Sequence, residues 1–249
     1  MFSYQLYSSR NFPPLGDTLA MLAEAGYDGV EPFGGLYADR AGLEALASGV
    51  KAAGLAVKTG HFSIEQVEDT PDWVIEVART LGMAKVIVPW LHPDHRPTDA
   101  AGWRALGARL QKAGAPIRAA GFGFGWHNHD FEFFPFADGS LPITALFEGG
   151  PDLEWEIDVA WVVRGGHDPL HWIKAEKGRI TIAHVKDIAP AGEAEDEGGW
   201  ADVGHGVVDW PAILPALRAN GVEYFIMEHD NPSDHRRFAT RALTAAKGF

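Results

Sequence analysis

The stretch Gly125-Trp-His-Asn-His-Asp-Phe-Glu-Phe133 holds His127, His129, Asp130 and Glu132, all able to bind a metal or carry a proton. It follows an apolar, glycine-punctuated run, and a buried strand that ends in polar side chains is where α/β proteins place their chemistry. Three later apolar runs end the same way. One closes on Asp158, the next on His184-Val-Lys186-Asp187, and the last on Glu228-His229-Asp230. If these ends share one rim, Asp158, His184 and Glu228 make a mixed donor set with Glu132 or a histidine of the 125–133 stretch. Carboxylates with imidazole and no thiolate suit Mn2+, Mg2+, Co2+ or Zn2+.

Such a site suits chemistry beside a carbonyl. The cation binds the carbonyl and a neighbouring hydroxyl and stabilises the enediolate left when a C–H proton departs. His127 and His129 share one face of an extended strand and titrate near neutrality, so they are the expected base and acid, with Glu228 beside them. Lys186 reads two ways: as a polariser of the carbonyl or its oxyanion, or as a cation paired with Asp158 or Asp187. Glu156 shares the face of Asp158 and is expected to support a histidine or Lys186. Around this centre Arg10, Glu31, His61 and His92 are expected to bind hydroxyls. Trp90 and Trp161 are expected to form an apolar wall for a sugar ring, and Trp126 reads equally as wall or core. Few basic residues stand at the strand ends and no glycine-rich phosphate cradle is present, which points away from a phosphorylated substrate.

Placing these groups together is the work of a repeat that runs the length of the chain. A helical segment closes at a glycine, and a short apolar, β-branched run follows it. The glycines are Gly26, Gly54, Gly82, Gly121, Gly178 and Gly221, at positions suited to the left-handed residue that ends a helix. The runs after them have the length and composition of buried parallel strands. Two further strands, Ser3 to Tyr7 and Leu153 to Asp158, bring the count to eight. Amphipathic segments at about 15–25, 40–53, 70–81, 98–119, 141–148, 168–175, 210–219 and 234–247 separate them. Eight alternations predict a (β/α)8 TIM barrel forming one domain over residues 1–249, with a doubly wound open sheet as the other candidate. The segment from Ala189 to Gly206, after the seventh strand, reads as a mobile active-site loop.

The composition narrows the function further. Hydrophobic residues make up 46% of the chain and charged residues 22%, as in ordinary globular proteins. There is no cysteine, which excludes disulfides, thiolate metal sites and a thiol nucleophile. Against 21 Lys and Arg stand 34 Asp and Glu, a net charge of −13 that opposes binding to a nucleic-acid backbone. Neither a membrane span nor a signal peptide is legible, so the cytoplasm is the expected compartment. The expected partner is a small sugar or polyol, with no nucleic acid and no membrane, and self-association is left open.

The chain resembles the sugar isomerase/epimerase superfamily with the xylose isomerase-like TIM barrel, which includes ketose 3-epimerases, inosose dehydratases and endonuclease IV-type enzymes. The resemblance rests on Tyr-Gln-Leu-Tyr-Ser at 4–8, Gly-Tyr-Asp-Gly-Val-Glu at 26–31 and His-Asn-His-Asp-Phe-Glu-Phe at 127–133. It continues through Glu-Ile-Asp-Val-Ala-Trp at 156–161, His-Val-Lys-Asp at 184–187, Gly-His-Gly-Val-Val-Asp-Trp at 204–210 and Ile-Met-Glu-His-Asp at 226–230. It implies a divalent metal, Mn2+ foremost, held by Glu, Asp, His and Glu from the fifth to eighth strands. The last three carry over to Asp158, His184 and Glu228. The usual glutamate position of the fifth strand holds His127, so Glu132 is the expected fourth ligand, reaching back to the metal. Trp161 stands where relatives often have His, and His205 where they often have Glu. The implied activity is a metal-dependent isomerase or epimerase working on a free sugar or keto-sugar. A lyase or dehydratase of a keto-inositol or 3-keto-sugar on the same metal site is the alternative. An endonuclease-type phosphodiesterase is opposed by the charge, and a non-catalytic sugar-binding barrel by the intact ligand positions.

Overall fold

All six glycines singled out above take a positive φ, from 69° at Gly54 to 95° at Gly121, a region open to glycine at no steric cost. Gly26, Gly54 and Gly82 end helices α1 (Leu15–Ala25), α2 (Arg40–Ala53) and α4 (Pro71–Leu81) and hand the chain to the next strand. A further short helix, α3 (Ile64–Asp69), comes ahead of α4 and is opened by a Ser63/Gln66 capping box. The computed structural model describes residues 1–249. Its barrel strands are β1 (Phe2–Gln5), β2 (Gly29–Glu31), β3 (Ala56–Val57 and Thr59–His61), β4 (Lys85–Val88), β5 (Gly123–His127), β6 (Glu154–Asp158), β7 (Ile180–Val185) and β8 (Tyr224–Met227).

The sheet runs from the first half of β3 through β2, β1, β8, β7, β6, β5 and β4 to the second half of β3. It therefore closes through a single strand. That strand breaks at Lys58, whose carbonyl accepts the N–H groups of Ala84 and Lys85 at 2.7 and 3.1 Å, so the carbonyl at the bend stays paired. Every barrel pairing is parallel. A (β/α)8 TIM barrel results, as expected from the eight alternations.

Around it stand α5 (Ala100–Ala113), α6 (Ala115–Ala119), α7 (Pro142–Gly149), α8 (Val159–Arg164), α9 (Pro169–Ala175), α10 (Trp210–Ala219) and α11 (His235–Gly248). Asp99 and Asp209 cap α5 and α10 through the backbone N–H groups of Gly102 and Ala212. The main core, which includes Trp103, Trp126, Trp155 and Trp210, fills the space between barrel and helices. Helices α5 and α7 meet closely: a Cβ on Gly107 would collide with the carbonyl oxygen of Leu146, and one on Gly149 with that of Arg104. No helix is long and apolar enough to cross a membrane.

The loop after β7 is tied down at several points. Asp187–Ile188 pairs antiparallel with Trp200–Ala201. The Asp187 carboxylate accepts the N–H groups of Ile188, Gly204, Gly206 and Val208 at 2.9 to 3.2 Å. Buried Glu197 pairs with Arg237 of α11 at 2.8 Å and accepts the Ser233 hydroxyl. Residues 189–206, read above as a mobile loop, are fastened at Glu197 and Asp202, whose carboxylates pair with Arg237 and Arg241 of α11.

Candidate active site and metal centre

Side chains alternate along each strand, so every second residue enters the barrel. Ile87, Ile182 and Ile226 meet there as a dry floor. One step further up, Gln5, Glu31, His61, His127, Glu156 and His184 form a buried polar layer. Glu156 Oε2 lies 2.6 Å from His61 Nε2, 3.0 Å from His127 Nδ1 and 3.2 Å from His184 Nε2. Glu31 Oε1 accepts from Gln5 Nε2 at 2.8 Å and lies 2.7 Å from His184 Nε2. Glu156 thus supports histidines, one of the two roles open to it.

His127 and His184 each turn one ring nitrogen to these supporting carboxylates and the other toward the C-terminal rim. His184 Nδ1 is 3.0 Å from Glu228 Oε2, and His127 Nε2 is 4.0 Å from Asp158 Oδ2. One donor atom from each of His127, Asp158, His184 and Glu228 falls within 4.8 Å of all the others. Burial opposes charge on the imidazoles, but Glu31 and Glu156 hold His61 up at about 10, and Glu156 and Glu228 hold His184 well above the usual imidazole range. Burial raises Asp158 in spite of the nearby Lys186 and His127.

This cluster has an excess of negative groups. The buried oxygens Asp158 Oδ2, Glu31 Oε2 and Glu156 Oε1 have no hydrogen-bond partner, a costly arrangement unless a cation answers it. Asp158 Oδ1 already accepts the Trp161 N–H at 3.0 Å as the cap of α8, which leaves Oδ2 as its donor atom. Two carboxylates, two imidazoles and the carboxylates behind the imidazoles fit a divalent ion.

Glu132 is not in this set, and its expected role as fourth ligand is corrected. Its Oε1 accepts from Trp126 Nε1 and its Oε2 from the His129 N–H, both at 2.9 Å. Trp126 alternates with His127 on β5 and packs in the outer core, so it is no wall for a sugar and draws Glu132 behind the strand. Burial pushes the Glu132 carboxyl up to about 8. His127 takes the position.

His129 stands apart from the ligand set although its ring is 5.2 Å from that of His127. It stacks on Phe131 and packs against Trp161. Nδ1 is sealed from solvent without a partner. Burial first, then the positive charge of His127 and Lys186, holds it well below the usual imidazole range. It is a neutral imidazole at neutral pH.

Lys186 is the paired cation rather than the polariser. Its Nζ lies 2.7 Å from Asp230 Oδ1, 3.4 Å from Glu228 Oε2 and 3.8 Å from Asp158 Oδ2. The Trp161 and Trp200 rings cover it at 5.0 and 4.2 Å, and the Arg164 guanidinium sits on Trp200 at 3.2 Å. Burial lowers its pKa, but Asp230, Glu228 and Asp158 together raise it above the ordinary lysine value, so it stays charged. Asp187, the other expected partner, is occupied by backbone N–H groups instead.

Above the cluster opens a cavity of 710 Å³. Arg10, His61, Trp90, His127, His129 and Glu228 line it, as the strand ends led one to expect. Three expected substrate contacts are corrected. Glu31 lies fully buried beneath it among His184, His61 and Gln5. His92 is exposed, with its ring edge-on to Trp90 and its Nδ1 accepting the Asp94 N–H. Trp161 covers Lys186 and is not part of the cavity wall. The sequence reading passed over Gln5, Phe33 and Trp200; Gln5 was visible as an amide in the inward register of an apolar strand.

This barrel with its polar rim is shared widely. Residues 19–247 match the model of the xylose isomerase-like TIM barrel family, and the chain belongs to that family. A sugar phosphate isomerase/epimerase from Parabacteroides distasonis superposes with a TM-score of 0.81 at 21% identity, over 98% of this chain and 93% of its own. The probable 3-DHS dehydratase AsbF of Bacillus anthracis gives 0.78 at 13% identity, over 99% and 98%. The IOLI protein with a bound zinc atom gives 0.73 at 16% identity, over 99% and 95%. At these identities the likeness is one of fold. No curated protein matches the chain.

Proposed function

We propose that this protein is a divalent-metal-dependent isomerase or epimerase that moves a proton beside the carbonyl of an unphosphorylated keto-sugar. The observation that carries this reading is His129, a neutral imidazole on the cavity wall with no hydrogen-bond partner on its buried Nδ1, next to the donor set. His127, Asp158, His184 and Glu228 would hold the ion, with Mn2+ favoured and Mg2+, Co2+ and Zn2+ compatible with the same donors. Bound there, a divalent ion supplies Lewis acidity to a carbonyl and its neighbouring hydroxyl.

The chain's own groups supply the proton transfer. His129 takes the proton from the carbon next to the carbonyl. The C–H electron pair becomes a C=C bond, and the carbonyl oxygen takes the negative charge. The imidazolium so formed sits near Lys186, whose charge favours returning the proton. Return of the proton to the former carbonyl carbon, while the hydroxyl proton of the original carbon passes to the former carbonyl oxygen, gives the isomer. The epimer forms when water in the cavity protonates the original carbon from the face opposite His129. Glu156 and Glu31 keep His127 and His184 in one orientation, and Lys186 keeps Glu228 ionised. Arg10 is the only lysine or arginine that lines the cavity, and its Nη1 is already engaged by the carbonyls of Tyr7 and Asp230.

The test is 1H NMR of Mn2+-loaded protein with a panel of keto-sugars in D2O. Deuterium entering at the carbon beside the carbonyl, with an isomer or epimer as product, is the expected result, lost in His129→Gln. A dehydrated product would reassign the reaction as an elimination. Undiminished exchange in His129→Gln would remove the imidazole from the mechanism.

A further inference from the structure

The metal donors that reach the cavity and the proton-transfer imidazole occupy one side of it. His127, His129 and Glu228 stand at the ends of β5 and β8, while the ends of β1 to β4 bring Tyr7, Phe33, Phe62 and Trp90 to the remaining wall. The molecule leaves five large apolar side chains exposed, and two of them, Tyr7 at 40% and Trp90 at 44%, are on this wall. Exposed aromatic surface gathered in a concavity marks a binding site rather than incomplete packing. Phe33 stands edge-on to Tyr7 at 5.3 Å and Arg10 lies on the Tyr7 ring at 4.0 Å, which fixes that side chain in place.

Polar donors accompany the rings. Ser63 and Gln66 line the same part of the cavity. Gln66 Oε1 accepts the Ser63 N–H and Ser63 Oγ accepts the Gln66 N–H, so the Gln66 NH2 and the Ser63 hydroxyl proton remain to be donated. Apolar ring faces beside neutral hydrogen-bond donors match a sugar ring, which has a C–H face and a rim of hydroxyls. A volume of 710 Å³ exceeds what one such ring fills.

We propose that the substrate is an uncharged glycoside: the keto-sugar ring sits against His129, and a second sugar ring lies on Trp90 with its hydroxyls bonded by Ser63 and Gln66. The placement of the first ring rests on the proposed proton transfer; the second-ring site does not.

Calorimetric titration of the Mn2+-loaded protein tests this without turnover. The probes are glucose disaccharides of four linkages, methyl β-glucopyranoside, phenyl β-glucopyranoside and glucose 6-phosphate. At least one disaccharide is expected to bind about tenfold tighter than the methyl glucoside, a preference abolished in Trp90→Ala and retained in Trp90→Phe. Thermal melts confirm that the variants fold. The proposal is overturned if no disaccharide gains over the methyl glucoside, or if the gain survives Trp90→Ala. Tightest binding of the phenyl glucoside would make the wall an aryl site, and tightest binding of glucose 6-phosphate would remove the neutral substrate; either overturns it as stated. Because binding is read directly, failure of deuterium exchange would leave this result standing, and the reverse also holds.

Discussion

Replacement of Glu156 by glutamine tests whether a carboxylate below the rim organises the metal ligands above it. One oxygen of Glu156 serves three imidazoles at 2.6 to 3.2 Å. Glutamine keeps the volume and one acceptor, but it sets an NH2 among ring nitrogens that need to donate and removes the charge that aligns them. Carboxylates behind metal-bound histidines are typically worth tenfold to a hundredfold in metal affinity, about 1.4 to 2.7 kcal/mol. Glu156 supports His127 alone but shares His184 with Glu31, so one of the two imidazole ligands loses its only support. An increase of about thirtyfold in the dissociation constant follows, near the middle of that range. Competition for Mn2+ against a fluorescent chelator at pH 7.5 measures it, with circular dichroism to verify the fold. Glu132→Gln is the control and should stay within about twofold of wild type, since Glu132 is bonded behind the strand. Retention of wild-type affinity by Glu156→Gln, within about threefold, would refute the supporting role.

The same control variant carries a pH prediction. Glu132 titrates at about 8 in the fold, above its unfolded value of about 4.3, so its stabilising contribution is whole below pH 4 and is lost as pH rises through 8. Chemical denaturation from pH 5 to 8.5 should show Glu132→Gln gaining stability relative to wild type as pH rises; a constant difference would contradict this. Gly107→Ala should cost about 2 to 3 kcal/mol in urea unfolding, because the new methyl meets the Leu146 carbonyl across the α5–α7 contact; a loss below about 0.5 kcal/mol would mean the helices part freely. Asp187→Ala leaves four backbone N–H groups without their acceptor. A Glu-specific protease should then cut after Glu193 or Glu195 at least tenfold faster, and an unchanged rate would show the loop is held by other contacts.

The architecture was legible because its punctuation is local. Left-handed glycines and aspartate caps act within a turn, so α1, α2 and α10 lie where the pattern placed them. The inward set of His127, Asp158, His184 and Glu228 follows from period-two alternation at strand ends, which is also local. Glu132 was misplaced because its direction is set beyond the strand, where a 3-10 turn over Phe131–Phe133 rotates it back to Trp126. Short helices that begin at once after β3 and β6 were missed for a related reason: Ser63 and Asp158 each cap a helix while standing at a strand end. The partners of Lys186 come from the ends of β6 and β8 and from a loop indole, a convergence that no spacing in one dimension encodes.

The stack of Arg164, Trp200 and Lys186 makes the loop after β7 a part of the site's dielectric. Lys186 attracts Glu228 and Asp230 strongly only while the indole keeps water away from it. Withdrawal of Trp200 would hydrate the ammonium and screen those attractions severalfold. The excess negative charge around the donor set would then repel itself with less opposition. A loop with no group in the proton-transfer chemistry is thus part of what keeps one lysine dry, and its anchor at Glu197, paired with Arg237 of α11, holds that indole's loop in place.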